Sequence, residues 1–231
     1  MRITCIERVI VAVKDLDDAC ARWSKAGFAF ASRTDNVARL HAGAVAIDLL
    51  TQSSWKGALE RGPGIVGWTW GSEDAEHPDF AAFLPGVTTS FVQVETELAT
   101  RRTNLDQLCG ANQNTVDFLE HIVVMTPSLE DAIAAHEKIG LPCKRIREAG
   151  GGMRQAFFKL EQTVLEIVGP ARGEPGVWGL AFMCKDIRRA VDLARENGLE
   201  ATEPKLAIQG GKIARIVAPL DGVAIAYMEP A

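Results

Sequence analysis

The sequence is poor in the features that mark membrane, disulfide-built and nucleic-acid-binding chains. Aromatic residues make up 6%, with one tyrosine and only four histidines. No apolar run approaches the roughly 20 residues that a bilayer-spanning helix requires. Lys and Arg (25) are outnumbered by Asp and Glu (30), and no basic stripe could neutralise phosphates, so no nucleic-acid partner is expected. The five cysteines (Cys5, Cys20, Cys109, Cys143, Cys184) are odd in number and scattered, with no CxxC pair to hold zinc or run redox chemistry. The opening MRITCIERVIVAVKDLDD lacks the order of a secretory signal, which points to a cytoplasmic protein.

What is present is internal repetition. Moved forward by 113, residues 6–28 fall on 119–141 without a gap: Glu7 meets Glu120, Val11 meets Val124, Leu16 meets Leu129, and Gly27 meets Gly140. A shift of 58 carries 119–141 onto 177–199, where Met125 meets Met183 and Gly140 meets Gly198. A shift of 112 carries 63–86 onto 175–198, joining Pro63 to Pro175, Gly67 to Gly179 and Asp74 to Asp186. Four copies of one unit are implied, and such a unit is too small to close its own core, so copies must pair.

Within each unit the periodicity changes from strand to helix. LEHIVVM (119–125) is β-branched and apolar, as a buried strand should be. Leu129, Ala132, Ile133, His136 and Ile139 then recur at helical spacing, with Ser128 as N-cap and Gly140 at C′. The equivalent N-cap positions are Asp15, Asp74 and Asp186. Short strands separated by Gly-rich turns follow: RIRE, MRQAFFKL and TVLEIVG. The second unit is the least regular, and a truncated sheet and a long connection are expected there. The fold class is therefore α+β: four tandem βαβββ modules in two pairs. The expected domains are 1–112 (modules one and two) and 117–231 (modules three and four).

The βαβββ order, its duplication, the strand HIVV (121–124) leading to LEDA (129–132), and the later LEIVGP (165–170) make the chain similar to the vicinal oxygen chelate (glyoxalase and bleomycin-resistance) superfamily. The resemblance covers nearly the whole chain. It implies that the modules pair into two half-open curved mixed sheets with helices outside, a cleft holding a divalent metal, with ligands from the first and last strands of each module, and chemistry through an enolate or a bound oxygen species. His121 stands at the first-strand ligand position and Glu166 at the last-strand position. Imidazole and carboxylate suit zinc, manganese, iron or nickel. The other modules depart from the pattern: Gly179 and Ala226 in the fourth, Arg8 and Asp48 in the first, Gly67 in the second.

Three readings stay open on these residues. A metal is held by His121, Glu166 and an off-register Gln155 or Gln209; or different pairing brings Asp48 to them; or no metal binds. Without metal, His121 and Glu166 form either an acid/base pair or a structural hydrogen bond. Arg154, Gln155, Trp178, Lys212 and Arg8 are candidate substrate contacts, although Trp68, Trp70 and Trp178 on strands more commonly pack in a core. Gly150, Gly151 and Gly152 form a turn near the cleft mouth, with Gly210 and Gly211 as counterpart. The expected function is a lyase or isomerase acting on a small oxygenated molecule. Its rival is a metal-free protein that sequesters a hydrophobic compound. A homodimer is compatible with either.

Overall fold

The computed structural model describes residues 2–51, 62–74, 87–94, 98, 100–103, 112–208 and 210–231. His77, Cys109, Gln209 and most of the expected long connection lie outside the described residues. The first half contains β1 (Ile3–Val13), α1 (Leu16–Lys25), β2 (Phe30–Arg33), β3 (Val37–Ala42), β4 (Val45–Thr51), β5 (Gly64–Ser72) and β6 (Thr88–Gln93). The second contains β7 (Val116–Met125), α2 (Leu129–Lys138), β8 (Arg145–Gly150), β9 (Met153–Leu160) and β10 (Thr163–Gly169). It continues through β11 (Gly176–Cys184), α3 (Ile187–Glu196), β12 (Lys205–Leu206), β13 (Lys212–Arg215) and β14 (Ala224–Glu229).

The helices start where short polar side chains satisfy the first free amides. Asp15, Ser128 and Asp186 accept from the backbone N–H of Asp18 (2.9 Å), Asp131 (3.2 Å) and Arg189 (2.9 Å). Asp74, the fourth member of the series, accepts from the Arg2 amide at 2.9 Å, and residues 75–80 after it lie outside the described ones.

The strands form a six-stranded sheet, β2-β3-β4-β1-β5-β6, and an eight-stranded sheet, β12-β13-β14-β11-β7-β10-β9-β8. In modules one, three and four the last strand lies parallel to the first, and the modules of a half meet through their first strands, which run antiparallel. Among the described residues the strands that module two supplies are β5 and β6. The 58-residue shift is the symmetry of the eight-stranded sheet: His121 pairs with Ala181, and Val123 with Gly179, which are the positions that the shift exchanges.

The faces carrying Leu119, Ile122, Val124, Phe158, Leu165, Ile167, Leu180, Phe182 and Tyr227 feed one core that also takes in Val9, Val11, Trp23, Trp68 and Trp70 from the first half. The halves meet through their helix-bearing sides. Phe28 packs on Phe182 with ring centroids 4.9 Å apart, Trp70 lies edge-on to His136 of α2 at 5.9 Å, and the Tyr227 hydroxyl donates to the Ala26 carbonyl at 2.8 Å. The opposite, concave faces carry Arg8 and Asp48 in the six-stranded sheet and His121 and Glu166 in the eight-stranded one.

Candidate functional site

One extra residue in β7 sets the site. Plain strand alternation puts His121 on the face of Leu119, but the register shifts there: Leu119 pairs with Phe182 and His121 with Ala181, leaving Glu120 as the extra residue of a bulge. Leu119 and Ile122 consequently both reach the core, and His121 turns to the concave face, where Val123 follows it. The first half repeats the device, with Ile6 paired to Trp70, Arg8 to Thr69, and Glu7 as the extra residue.

The bulge lets two consecutive side chains meet, and the Glu120 carboxylate contacts His121 Nδ1. His121 Nε2 faces Glu166 Oε2 at 3.9 Å, brought there by the parallel pairing of β10 with β7. Behind Glu166 runs a chain of donors: the Gln155 amide donates to Glu166 Oε1 (2.5 Å), and Arg147 donates to Gln155 Oε1 through Nε (2.9 Å) and Nη2 (2.6 Å). The His121 side chain is 5% exposed, while those of Glu166 and Glu120 keep 13% and 17%. The group therefore sits just under an open surface.

Burial pushes the His121 imidazole down to about 4, with Lys159 and Arg147 acting in the same sense. Burial pushes the Glu166 carboxyl up, opposed by Arg147 and by the Gln155 hydrogen bond. Burial thus shifts each group in the direction of its uncharged form. His41 (burial first, then Arg39, with Asp48 opposing) and His136 (burial, opposed by its bond to the Ala132 carbonyl) are also pushed down to about 4.

An imidazole held below its ordinary 6.5 is neutral in the folded chain while the unfolded chain has already taken up its proton. Folding stability is therefore expected to fall as pH drops from 6.5 towards 4, by up to roughly 1.4 kcal/mol per pH unit for each histidine. Urea midpoints at pH 7, 5.5 and 4.5 measure this, and a level midpoint would refute it.

Among the described residues no three His, Cys, Asp or Glu side chains group so as to hold a metal ion. The reason is visible at the two remaining ligand positions. A Cβ on Gly179 would lie 2.4 Å from the Ala224 carbonyl oxygen, so β14 passes too close for any side chain there, and Ala226 has no donor. Gly67 is closed in the same way by the Thr88 carbonyl oxygen at 2.1 Å. Asp48 does not join His121: it lies in the six-stranded sheet, held by Arg39 (2.6 and 2.7 Å) and by Arg8 Nε at 3.4 Å. Among the described residues the carboxylates that reach His121, Glu166 at Nε2 and Glu120 at Nδ1, do not form with it the three- or four-ligand set of a resident metal. Gly179→Ala is expected to destabilise the fold by roughly 1–3 kcal/mol through this backbone clash, and Gly179→His to gain no metal affinity. A folded histidine variant with a stoichiometric metal would contradict the steric account.

The other expected contacts are dispersed. Arg154 pairs with Glu130 at the start of α2, and Lys212 pairs with Glu229 at 2.8 Å. Trp178 is 57% exposed at a second register shift, between Val177 and Gly179, whereas Trp68 and Trp70 are fully buried in the core. Gln155 alone of that group reaches Glu166. Sequence reasoning missed Glu120, Arg145, Arg147, Phe157, Lys159 and Arg39. Alternation across β8 and β9 contained part of this signal, because Gln155, Phe157 and Lys159 must share a face opposite Ala156, Phe158 and Leu160.

No protein-family model and no curated protein matches the chain. Solved structures do. A xylose isomerase-like TIM barrel/4-hydroxyphenylpyruvate dioxygenase fusion protein aligns over 98% of this chain with a TM-score of 0.69 and 14% identity; the alignment spans 49% of that protein's length. A variant of 4-hydroxymandelate synthase from Streptomyces coelicolor aligns over 99% of this chain and 93% of its own, with a TM-score of 0.68 and 15% identity. Methylmalonyl-CoA epimerase from Mycobacterium tuberculosis aligns over 51% of this chain, with a TM-score of 0.43 and 21% identity. With its modules paired through their first strands into two curved sheets, the chain has the fold of the vicinal oxygen chelate superfamily.

Proposed function

We propose that the chain is an enzyme, a lyase or isomerase, that moves a proton on a small oxygenated molecule lying on the concave face of the eight-stranded sheet. The observation that carries this reading is the line Glu120, His121, Glu166. The Glu120 carboxylate lies against Nδ1, and Nε2, the nitrogen that can act as the base, faces Glu166 Oε2 across 3.9 Å. That gap is too long for a direct hydrogen bond and leaves both atoms free to share a substrate proton. His121 removes the proton, and Glu166, biased towards its protonated form by burial, returns one. The chemistry is written without a metal because the ligand positions of module four supply no donor.

The test is deuterium exchange at carbon, followed by NMR in D2O, for a panel of small 2-oxo and 2-hydroxy acids. The names of the two solved structures that span this chain suggest that choice: one is a hydroxyphenylpyruvate dioxygenase, a 2-oxo acid enzyme by name, and the other makes a hydroxymandelate. Exchange that persists after chelation supports the reading. A stoichiometric divalent ion in the purified protein, lost together with exchange in His121→Ala, overturns the metal-free form and restores the metal-dependent one.

A second reading has its own support. Apart from these polar groups, the concave face is lined by Val123, Met125, Ala181, Met183, Ala224, Ala226 and Met228, which alternate with core residues along their strands. Such a surface suits sequestration of a hydrophobic compound. Saturable binding of an apolar ligand, with no exchange on any panel member, would select it.

A further inference from the structure

We infer that the β8–β9 side of this concave face binds its ligand through an oxyanion, a carboxylate or a phosphate, gripped by Arg145 and Arg147 above the Phe157 ring. The inference rests on the proposed acid/base reading only in identifying the anion as part of the substrate.

The hairpin pairs Arg145 with Phe157 and Arg147 with Gln155, so both arginines stand on the face that carries Glu166. Their guanidinium carbons lie 4.7 and 5.4 Å from the centroid of the same Phe157 ring, and that ring lies edge-on to His121 at 6.5 Å. Two guanidinium groups over one ring repel each other, so they favour a counter-charge between them. Among the described residues no carboxylate forms an ion pair with either arginine, and Glu166 acts on Arg147 only from beyond Gln155; Arg172 and Arg215 likewise have no ion pair among those residues, whereas Arg2, Arg22, Arg39, Arg101, Arg154 and Arg195 each have one. Lys159, on the same face by alternation, is also without an ion pair among those residues.

The first half shows how the fold neutralises such charges when it does so. There the residue opposite Asp48 is Arg39, which closes a two-pronged pair with it. In the second half the residue opposite Glu166 is Phe157. The aromatic ring takes the arginine's place, and the cations stand one strand further out. Arg147 spends Nε and Nη2 on Gln155 and keeps Nη1; the Arg145 guanidinium makes no hydrogen bond among the described residues. The free N–H edges of two stacked guanidinium groups match the oxygens of a carboxylate or phosphate.

Calorimetric titration of the full chain with oxalate, and separately with inorganic phosphate, at constant ionic strength, tests the inference. Saturable binding of either anion is expected, weakened at least roughly tenfold in Arg145→Ala and in Arg147→Lys, and unchanged in Arg188→Ala, where a surface ion pair is lost. The anion that binds more tightly identifies the source, carboxylate or phosphoryl. Arg145→Ala removes no hydrogen bond of the fold, so a folding defect does not mimic the result. Absence of saturable binding, or binding indifferent to both arginine variants, overturns the subsite. The two proposals fail separately: saturable anion binding by the unsubstituted chain with no exchange on any panel member, or exchange undiminished in His121→Gln, removes the acid/base reading and leaves the subsite standing.

Discussion

His121→Gln is expected to reduce carbon–deuterium exchange by about 10²–10⁴-fold, the usual contribution of a positioned general base, while the urea midpoint at pH 7 changes little. Glutamine keeps a polar side chain beside Glu120 but cannot accept and hold a proton at the Nε2 position. Glu166→Gln is expected to act in the same direction, because it keeps the shape and the Gln155 contact and removes the exchangeable carboxyl. The pH profile separates a chemical role from a structural one. With the imidazole pushed down to about 4, the wild-type base is competent across neutral pH and is lost only as pH falls through that value. In Glu120→Gln the ring loses the carboxylate that lies beside Nδ1, and a tenfold or larger loss of exchange is expected with the fold intact. Wild-type exchange rates in His121→Gln would remove the base from the mechanism.

Asp221→Ala is expected to destabilise the chain by about 3 kcal/mol, which for a protein of this size lowers the melting temperature by roughly 6–12 °C. Asp221 and Gly222 form a two-residue hairpin turn with φ of 47° and 79°, closed by reciprocal bonds between Leu220 and Val223 (2.9 and 2.8 Å). The turn is pressed against the first half: a Cβ on Gly222 would lie 2.2 Å from the Pro63 carbonyl oxygen. The Asp221 side chain, 3% exposed, accepts from Arg22 Nη2 at 2.5 Å and from the Trp23 indole N–H at 3.1 Å. Alanine would strand that buried indole N–H, lose a charge-assisted bond and resist the positive φ. Asp221→Asn tolerates the φ and keeps an acceptor for Trp23, so its cost should be near 1 kcal/mol. Equal losses in the two variants would show that the contact between halves does not depend on this carboxylate. Thermal and urea denaturation at pH 7 decide it.

The fold was legible because its information is local and repeated. A 3.6-residue period after a β-branched run, an N-cap at the same offset and a glycine past the helix end recur at fixed shifts, and those shifts reappear as the pairing of His121 with Ala181 and Val123 with Gly179. The site was legible only in part. His121 and Glu166 could be named as a pair from their places in the first and last strands of one module. Their neighbours could not be found that way, because Glu120 reaches Nδ1 only through a bulge, and no alternating pattern announces an extra residue. Arg145 and Arg147 look like ordinary surface charges until the hairpin register stacks them on Phe157.

The sequence by itself determined the four-module plan, three helix starts and the loss of donors at positions 179 and 226, since each depends on residues near one another or on comparison at a fixed shift. Tertiary structure decided which carboxylate meets the imidazole, that Asp48 is consumed by Arg39 in the other sheet, and that glycine at 179 is required by the backbone of β14. Those outcomes depend on strand register and on the approach of distant segments to within a few ångströms. Both are set by the packing of the whole core, which no local pattern encodes.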